Sequence, residues 1–279
     1  MWTYSADSAR GRWWFVAGAV LVVLGSVRCQ TAAPVTQVAV MSTPPPGGAP
    51  KRVMPLGDSL THGYNIPGGY RSDLWSLITA DGRSVDFVGS LDDGPASLPD
   101  REHEGHPGWR IDDLSSEVVR WLTAAQPDIV LLMIGTNDIV QDYDRAAAPD
   151  RLSALIDRVT DTQPRTQVVV ASIPRLGWPP AADWVRAYNV AIPSIIDAKV
   201  ADGKRVSYAD VHSAITAGDL DADLVHLNAS GDSKVAAVWY AAIRPILGGD
   251  ASGDLGTHDA PVTAVGLAVQ KPRVRWPAY

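Results

Sequence analysis

Two kinds of segment alternate from residue 52 onward, as judged by their hydrophobic and polar positions. Short apolar runs predict five strands, at residues 53–56, 84–89, 128–134, 167–173 and 205–211. Segments whose apolar residues recur at helical spacing predict five helices, at residues 69–80, 111–124, 149–162, 181–200 and 229–247. Pro193 lies inside the fourth of these helices and favours a bend there. Strand and helix therefore follow one another along most of the chain.

This alternation predicts the α/β class, with a mainly parallel sheet and helices on both of its faces. In such sheets functional groups gather at the carboxyl ends of the strands. Ser59 follows the first predicted strand, Asn137 follows the third, and Asp223 and His226 follow the last. We therefore expect these four residues to lie at the same edge of the sheet.

The N-terminal segment has a different character. Arg10 and Arg12 precede an uncharged apolar stretch at residues 13–27, which is typical of a secretory signal and short for a membrane span of about 20 residues. Residues 1–29 are therefore predicted to be a signal peptide or an uncleaved signal anchor. We expect a secreted or extracytoplasmic protein, with membrane attachment only through residues 13–27.

Three further segments complete the predicted organisation. Residues 30–51 are rich in Ala, Thr, Pro and Gly, a composition typical of a linker. Residues 52–247 carry the strand and helix pattern and are predicted to be the folded domain. Residues 248–279 show no clear period, which predicts a tail that is flexible or packed at the periphery.

Charge and cysteine content narrow the possible functions. The formal net charge is -7 and no cluster of Lys and Arg is present, so we expect no nucleic-acid partner. The only cysteine, Cys29, precedes the predicted linker. The folded domain therefore cannot hold an internal disulfide, a cysteine nucleophile or a thiolate zinc site, and we predict no cofactor.

One serine, one aspartate and one histidine form the candidate chemistry. Ser59 lies in Gly57-Asp58-Ser59, on a tight turn after the first strand, and Asp223 precedes His226 by three residues. A serine hydroxyl becomes a good nucleophile when a base removes its proton, and histidine is the natural base because its unperturbed pKa is about 6.5. If the three residues meet in space, the chain is a serine hydrolase. We assign Asp58 and Asp138 structural roles in their turns.

Four motifs occur together in a specific order: Gly57-Asp58-Ser59, then Gly108, then Gly135-Thr136-Asn137-Asp138, and finally Asp223-Leu224-Val225-His226. With these motifs, residues 52–247 resemble the SGNH, or GDSL, hydrolase superfamily. The resemblance implies a flavodoxin-like three-layer α/β/α sandwich with a mainly parallel central sheet.

The resemblance also implies the role of each site residue. Ser59 would be the nucleophile, His226 the general base and acid, and Asp223 the carboxylate that orients the imidazole. The oxyanion hole would consist of the backbone N–H groups of Ser59 and Gly108 and the side-chain amide of Asn137.

A narrower resemblance extends over residues 53–63, 68–71, 85–90 and 103–110, which look like carbohydrate esterase family 3, a family that includes acetyl xylan esterases. Two departures bear on the substrate: Pro107 replaces a small residue, and Leu227 replaces a proline that often follows the catalytic histidine. The resemblance implies an exported serine esterase that removes short acyl groups, acetyl above all, from carbohydrate.

Other functions remain open at this point. The same residues would serve a lipase or thioesterase, or an acyltransferase that acts on another ester. A protein of another class, a non-catalytic polysaccharide-binding module, could keep the same fold. His62 and Trp109 flank the predicted site, where they would either contact the acylated sugar or pack the catalytic loops.

A metal site is the last possibility that the sequence raises. His103 and His106 could bind a metal together with Glu102 or Glu104. We expect this segment to be a flexible loop, and no fourth ligand is evident, so no metal site is predicted.

Overall fold

The computed structural model describes residues 49–248, and this part of the chain contains seven strands and eight α-helices. The strands are β1 (Lys51–Gly57), β2 (Val85–Phe87), β3 (Leu91–Asp92), β4 (Glu102–Gly105), β5 (Ile129–Met133), β6 (Gln167–Ala171) and β7 (Val206–Ala209). The α-helices are α1 (Ser59–His62), α2 (Tyr70–Ala80), α3 (Ile111–Ala125), α4 (Thr136–Val140), α5 (Ala148–Thr162), α6 (Pro179–Ala201), α7 (Val211–Ala214) and α8 (Ala229–Leu247).

All five predicted strands and all five predicted helices are confirmed, with ends that differ by a few residues. The predicted strand at 205–211 ends earlier, at Ala209, because α7 begins at Val211. Helix α6 continues through Pro193 without interruption. β1 begins at Lys51, the last residue of the predicted linker. The predicted signal segment, most of that linker and nearly all of the tail lie outside the described residues.

The segment at 102–105 was expected to be a flexible loop, and this expectation is wrong. It forms β4, which pairs with β1 and β3, and the side chain of His103 is fully buried. Two of its buried side chains accept hydrogen bonds: Glu104 from the backbone and hydroxyl of Ser90, and His103, through Nδ1, from Gly105 N. A strand can therefore be buried here without an apolar pattern.

The strands form one sheet in the order β3-β4-β1-β5-β6-β7, and β2 also pairs with β1. All pairings are parallel except that between β3 and β4. At its carboxyl end, β1 has β4 on one side and β5 on the other, since Gly57 is in register with both Gly105 and Met133. The segments that follow these three strands therefore leave the sheet at one edge.

Each central strand sends alternate side chains to opposite faces of the sheet. On one face, Met54, Val130 and Val168 pack in a core with α3, α5 and α6. On the other face, Val53 and Ile129 belong to a second core that includes residues of α2 and α8. Two cores on either side of a mainly parallel sheet confirm the predicted three-layer α/β/α sandwich.

Within residues 49–248, none of the helices combines the length and the apolar character that crossing a membrane requires.

Candidate active site

Ser59 is the first residue of α1, directly after the turn that leaves β1. Gly57 lets β1 lie close to β5 just before this turn, because a Cβ atom at this position would clash with the carbonyl oxygen of Met133. Asp58 caps the helix, and its Oδ1 accepts a hydrogen bond from Leu60 N at 3.0 Å, as its predicted structural role requires. Since the first N–H groups of a helix have no intrahelical partner, this turn aims the Ser59 N–H away from the helix.

Asp223 and His226 lie on the segment that precedes α8, in a turn in which Leu224 adopts a φ of 63°. Asp223 Oδ1 accepts hydrogen bonds from Val225 N at 3.0 Å and from His226 N at 2.9 Å, while Oδ2 lies 2.6 Å from His226 Nδ1. Partial desolvation raises the pKa of Asp223, but these hydrogen bonds and one from Asn65 outweigh it and hold the pKa well below its usual range. Asp223 is therefore a carboxylate at neutral pH.

The imidazole of His226 connects this carboxylate to the serine. Its Nε2 lies 2.9 Å from Ser59 Oγ. Because Nδ1 faces a carboxylate, which can only accept, Nδ1 carries the proton of the neutral ring, and Nε2 presents its lone pair to the hydroxyl. The structure thus brings Ser59, Asp223 and His226 together in an arrangement that can remove the proton of a serine hydroxyl.

The other predicted site residues flank Ser59 on the neighbouring strands. The bond from His106 N to Gly57 O, at 2.9 Å, extends the pairing of β4 with β1 and leads the chain to Gly108. Gly108 has a φ of +81°, which favours glycine. On the other side, Asn137 lies in α4, immediately after β5. The two residues therefore lie on either side of the segment that carries the nucleophile.

Hydrogen bonds hold these two flanking segments to each other. Asn137 Nδ2 donates to Trp109 O at 2.9 Å, and Gln141 Nε2 donates to Gly108 O at 2.8 Å. An amide nitrogen has two N–H groups, so Asn137 keeps one for a further acceptor. The assignment of Ser59, Gly108 and Asn137 to an oxyanion hole stays a prediction, and this arrangement is compatible with it.

Asp138 fixes the position of α4, in line with its predicted structural role. Its side chain is fully buried, where it accepts hydrogen bonds from Ile111 N at 3.1 Å and from Arg151 at 2.7 Å. Burial raises the pKa of Asp138, although the bond from Arg151 opposes the shift. This carboxyl group ties α4 to the start of α3 and to α5.

His62 and Trp109 make their contacts with neighbouring segments of the folded domain. His62 Nε2 lies 3.8 Å from a carboxylate oxygen of Asp93, and the ring contacts His103 edge to face. Trp109 stacks on His106, with ring centroids 4.2 Å apart, and packs against the core. These contacts agree with the packing alternative, and a contact with substrate stays a prediction for both residues.

The histidines considered as metal ligands have other partners. His106 Nε2 lies 2.9 Å from Glu104 Oε2, and His103 Nδ1 accepts from a backbone N–H, so its Nε2 must carry the ring proton. In the part of the chain that the structure describes, no group of three or more His, Cys, Asp or Glu side chains could hold a metal ion.

Two site residues had not been predicted, Tyr64 and Asn65, in the loop between α1 and α2. The ring of Tyr64, which is 62% exposed, stacks on His226 with centroids 5.0 Å apart. Asn65 Nδ2 lies 3.2 Å from Asp223 Oδ2. Both residues line a small pocket against Ser59 and His226 that also includes Asp232. No motif marks this loop, and its position shortly after Ser59 was the only available signal.

Comparison with known proteins identifies relatives of this site and fold. Residues 56–234 match the model of the GDSL-like Lipase/Acylhydrolase family. A multidomain esterase from Ruminococcus flavefaciens is 32% identical over 223 residues, which cover 70% of this chain and 29% of that protein. A second relative, from Acetivibrio thermocellus, is matched over 56% of its length. The chain therefore spans less than two thirds of the length of each of these two relatives.

Solved structures show the same fold. A family 3 carbohydrate esterase from Clostridium thermocellum is 38% identical, with a TM-score of 0.63, over 71% of this chain and 96% of that one. A carbohydrate esterase of family 3 from Talaromyces cellulolyticus is 30% identical, with a TM-score of 0.64, over 71% of this chain and 98% of that one.

Proposed function

This chain belongs to the GDSL-like lipase/acylhydrolase family, and from that premise we propose that it removes short acyl groups, acetyl above all, from carbohydrate through an acyl-enzyme on Ser59. Its family and its similarity to family 3 carbohydrate esterases make it a serine ester hydrolase. The observation that carries the proposal is the continuous set of contacts from Asp223 through His226 to Ser59 Oγ.

The first half of the reaction forms the acyl-enzyme. Ser59 Oγ attacks the ester carbonyl while His226 Nε2 takes its proton, and Asp223 stabilises the imidazolium that forms. The carbonyl oxygen becomes negative and accepts hydrogen bonds from the N–H groups of Ser59 and Gly108 and from the free N–H of Asn137. The C–O bond then breaks, and the sugar alcohol leaves with the proton from His226.

The second half repeats these steps with water in place of the alcohol. His226 takes a proton from water, the resulting oxygen attacks the acyl carbon, and the bond to Ser59 Oγ breaks as the serine regains its proton. The same oxyanion hole stabilises the second tetrahedral intermediate. A short carboxylic acid, acetate in the proposed case, is the product.

The size of the pocket supports a short acyl group. The pocket against Ser59 and His226 is small. Two larger pockets in the described part of the chain include neither of these residues. A lipase that acts on long chains would need an apolar channel at the serine, so this alternative is the less favoured one.

The residues around the pocket favour a substrate whose leaving group is rich in hydroxyl groups. They present the exposed ring of Tyr64 and the carboxyl group of Asp232, whose burial raises its pKa to about 7. Aromatic faces and hydrogen-bonding side chains suit a sugar better than an aliphatic alcohol. The similarity to family 3 carbohydrate esterases points to the same class of substrate.

We extend the proposal to location. The apolar stretch at residues 13–27 after two arginines supports export, either with cleavage of the segment or with its retention as a membrane anchor. An acylated polysaccharide outside the cytoplasm would then be the partner of this enzyme.

Two measurements test the proposal. Acetate release from a panel of acetylated polysaccharides, together with p-nitrophenyl esters of increasing chain length, should show the highest activity on acetyl groups. Ser59→Ala should lower kcat by at least about 10⁴-fold, because it removes the nucleophile. Normal turnover in this variant would refute the acyl-enzyme, and a preference for octanoyl over acetyl esters would refute the short acyl group.

A further inference from the structure

The carboxylate of Asp223 has a second partner besides the imidazole. Asn65 Nδ2 lies 3.2 Å from Asp223 Oδ2, the same oxygen that lies 2.6 Å from His226 Nδ1. The same nitrogen lies 2.6 Å from Asp221 Oδ2. One side-chain amide therefore bridges two carboxylates, and one of these is the proposed orienting group.

The orientation of the amide follows from the chemistry of its neighbours. Ionised carboxylates only accept hydrogen bonds, so the nitrogen of Asn65, and not its oxygen, must face both of them. Each N–H group then serves one carboxylate. The bridge places a neutral donor between two negative charges that would otherwise repel each other at close range.

Asp221 is itself held in place and can anchor the bridge. Its Oδ1 accepts a hydrogen bond from Ala222 N at 2.7 Å, and its backbone N–H donates to His226 O at 2.8 Å. Asn65 belongs to the loop that follows α1, so the bridge ties the segment of the nucleophile to the segment of the acid and base.

We propose that Asn65 is a positioning residue of this esterase: its amide fixes the Asp223 carboxylate against His226, with Asp221 as its anchor. The inference rests on the proposed roles of Ser59, Asp223 and His226. It adds a residue outside the four motifs of the chain, contributed by a loop that no motif marks.

Loss of the amide should have two consequences. Asp223 would lose one of its restraints and face the charge of Asp221 directly, so the imidazole would be held less well for proton transfer. The electrostatic potential at the imidazole would also become more negative, which favours the protonated ring. The protonated ring cannot act as a base. The titratable groups near this ring are Asp221, Asp223, Tyr64, Asp58 and Asp232.

The test compares two variants of the full chain, Asn65→Ala and Asn65→Asp, with p-nitrophenyl acetate as the substrate. Asn65→Ala should lower kcat about tenfold or more, as expected for the loss of a hydrogen bond to a charged group. Asn65→Asp keeps the size of the side chain but exchanges a donor for a third carboxylate, so its loss should be larger. The acid limb of the plot of kcat/KM against pH should move to higher pH in the order wild type, Ala, Asp.

Asn228→Ala is the matched structural control. Its amide also bonds within the same segment, at 2.8 Å to Gly218 O and 3.1 Å to Leu220 O, but it contacts no carboxylate there. This variant should lower the Tm without moving the acid limb. An unchanged acid limb in both Asn65 variants would overturn the inference, as would near-wild-type kcat in Asn65→Asp. A rise in KM with constant kcat would also overturn it, because it would mean that Asn65 binds substrate.

Ser59→Ala separates failure of this inference from failure of the proposed function. If Ser59→Ala is inactive and the Asn65 variants behave like wild type, only the positioning role is wrong. If Ser59→Ala keeps its activity, the proposed acyl-enzyme itself is wrong.

Discussion

In the proposed mechanism, the side chain of Asn137 has a structural and a chemical task at the same time. One N–H of its amide bonds Trp109 O at 2.9 Å, which holds the segment of Gly108 beside the serine. The second N–H is available to the oxyanion. Because the first bond fixes the amide in advance, little reorganisation is needed when negative charge develops.

Asn137→Ala should therefore affect catalysis far more than folding. Loss of one oxyanion donor typically lowers kcat by about 10²–10³-fold, whereas loss of one side-chain hydrogen bond to the backbone costs about 1 kcal/mol of stability. Steady-state kinetics and urea unfolding on the same preparation measure both effects. Gln163→Ala is the control, since its amide bonds a backbone carbonyl, Leu122 O, away from the site. A loss of kcat in Asn137→Ala no larger than in this control would argue against the oxyanion role.

The sequence was sufficient to find some residues of the site and not others, for a physical reason. Ser59, Asp223 and His226 could be proposed from the chemistry of their side chains, because a serine nucleophile needs a base and a group that orients the base. Asn137 was proposed because its motif resembles that of the SGNH superfamily. Asn65 is different, because its significance depends on a partner 158 residues away. An amide in a polar loop has no distinguishing feature until the fold brings a carboxylate to it.

At the level of elements, the buried side chain of Arg71 connects α1, α2 and the β3–β4 region. This residue of α2 donates hydrogen bonds to four backbone carbonyls: Thr61 O, His62 O, Asp93 O and Arg101 O. It is fully buried, and desolvation lowers its pKa to about 10. The guanidinium thus supplies hydrogen-bond donors to the backbone carbonyls at the end of α1 and in the segments around β3 and β4.

Arg71→Lys should destabilise the protein by about 3 kcal/mol or more, although the charge is kept. A lysine ammonium cannot reach acceptors in several directions as the planar guanidinium does, so buried carbonyls would lose their donor. Urea unfolding measures the change. Arg120→Lys, at a side chain that is 65% exposed, is the control and should change the stability by less than about 0.5 kcal/mol. Equal stabilities of the two variants would contradict the bridging role.

Arg71 and β4 also explain where the prediction of elements was incomplete. Helix α2 was predicted from its apolar spacing, which says nothing about an arginine that turns inward. The residues of β4 are Glu, His, Glu and Gly, so no apolar alternation indicated a strand. In both places burial depends on polar groups that find partners from distant segments, and such partners are known only once the fold is known.

At the level of the whole molecule, buried ionisable groups determine how stability depends on pH. Desolvation raises the pKa of Asp58, at the sheet edge, and that of Asp232, in α8, to about 7 in each case. Burial has the opposite consequence for His103, because desolvation lowers its pKa to about 2. The effects of the carboxyls and of the histidine overlap between about pH 4 and pH 7, so the curve of the wild-type protein alone cannot separate them.

The difference between a variant and the wild type isolates one carboxyl. In the unfolded chain Asp58 ionises near pH 4, but in the folded protein it stays protonated until about pH 7, so its stabilising contribution is present at low pH and is lost between these values. Asparagine does not ionise, so Asp58→Asn removes this pH-dependent loss of stability. Relative to the wild type, the variant should gain stability as the pH rises from 5 to 8, by an amount of the order of a few kcal/mol. Urea unfolding at several pH values measures the gain, with Asp183→Asn, at a side chain 87% exposed, as the control. Parallel curves for Asp58→Asn and the wild type would show that Asp58 ionises in the folded protein as readily as in the unfolded chain.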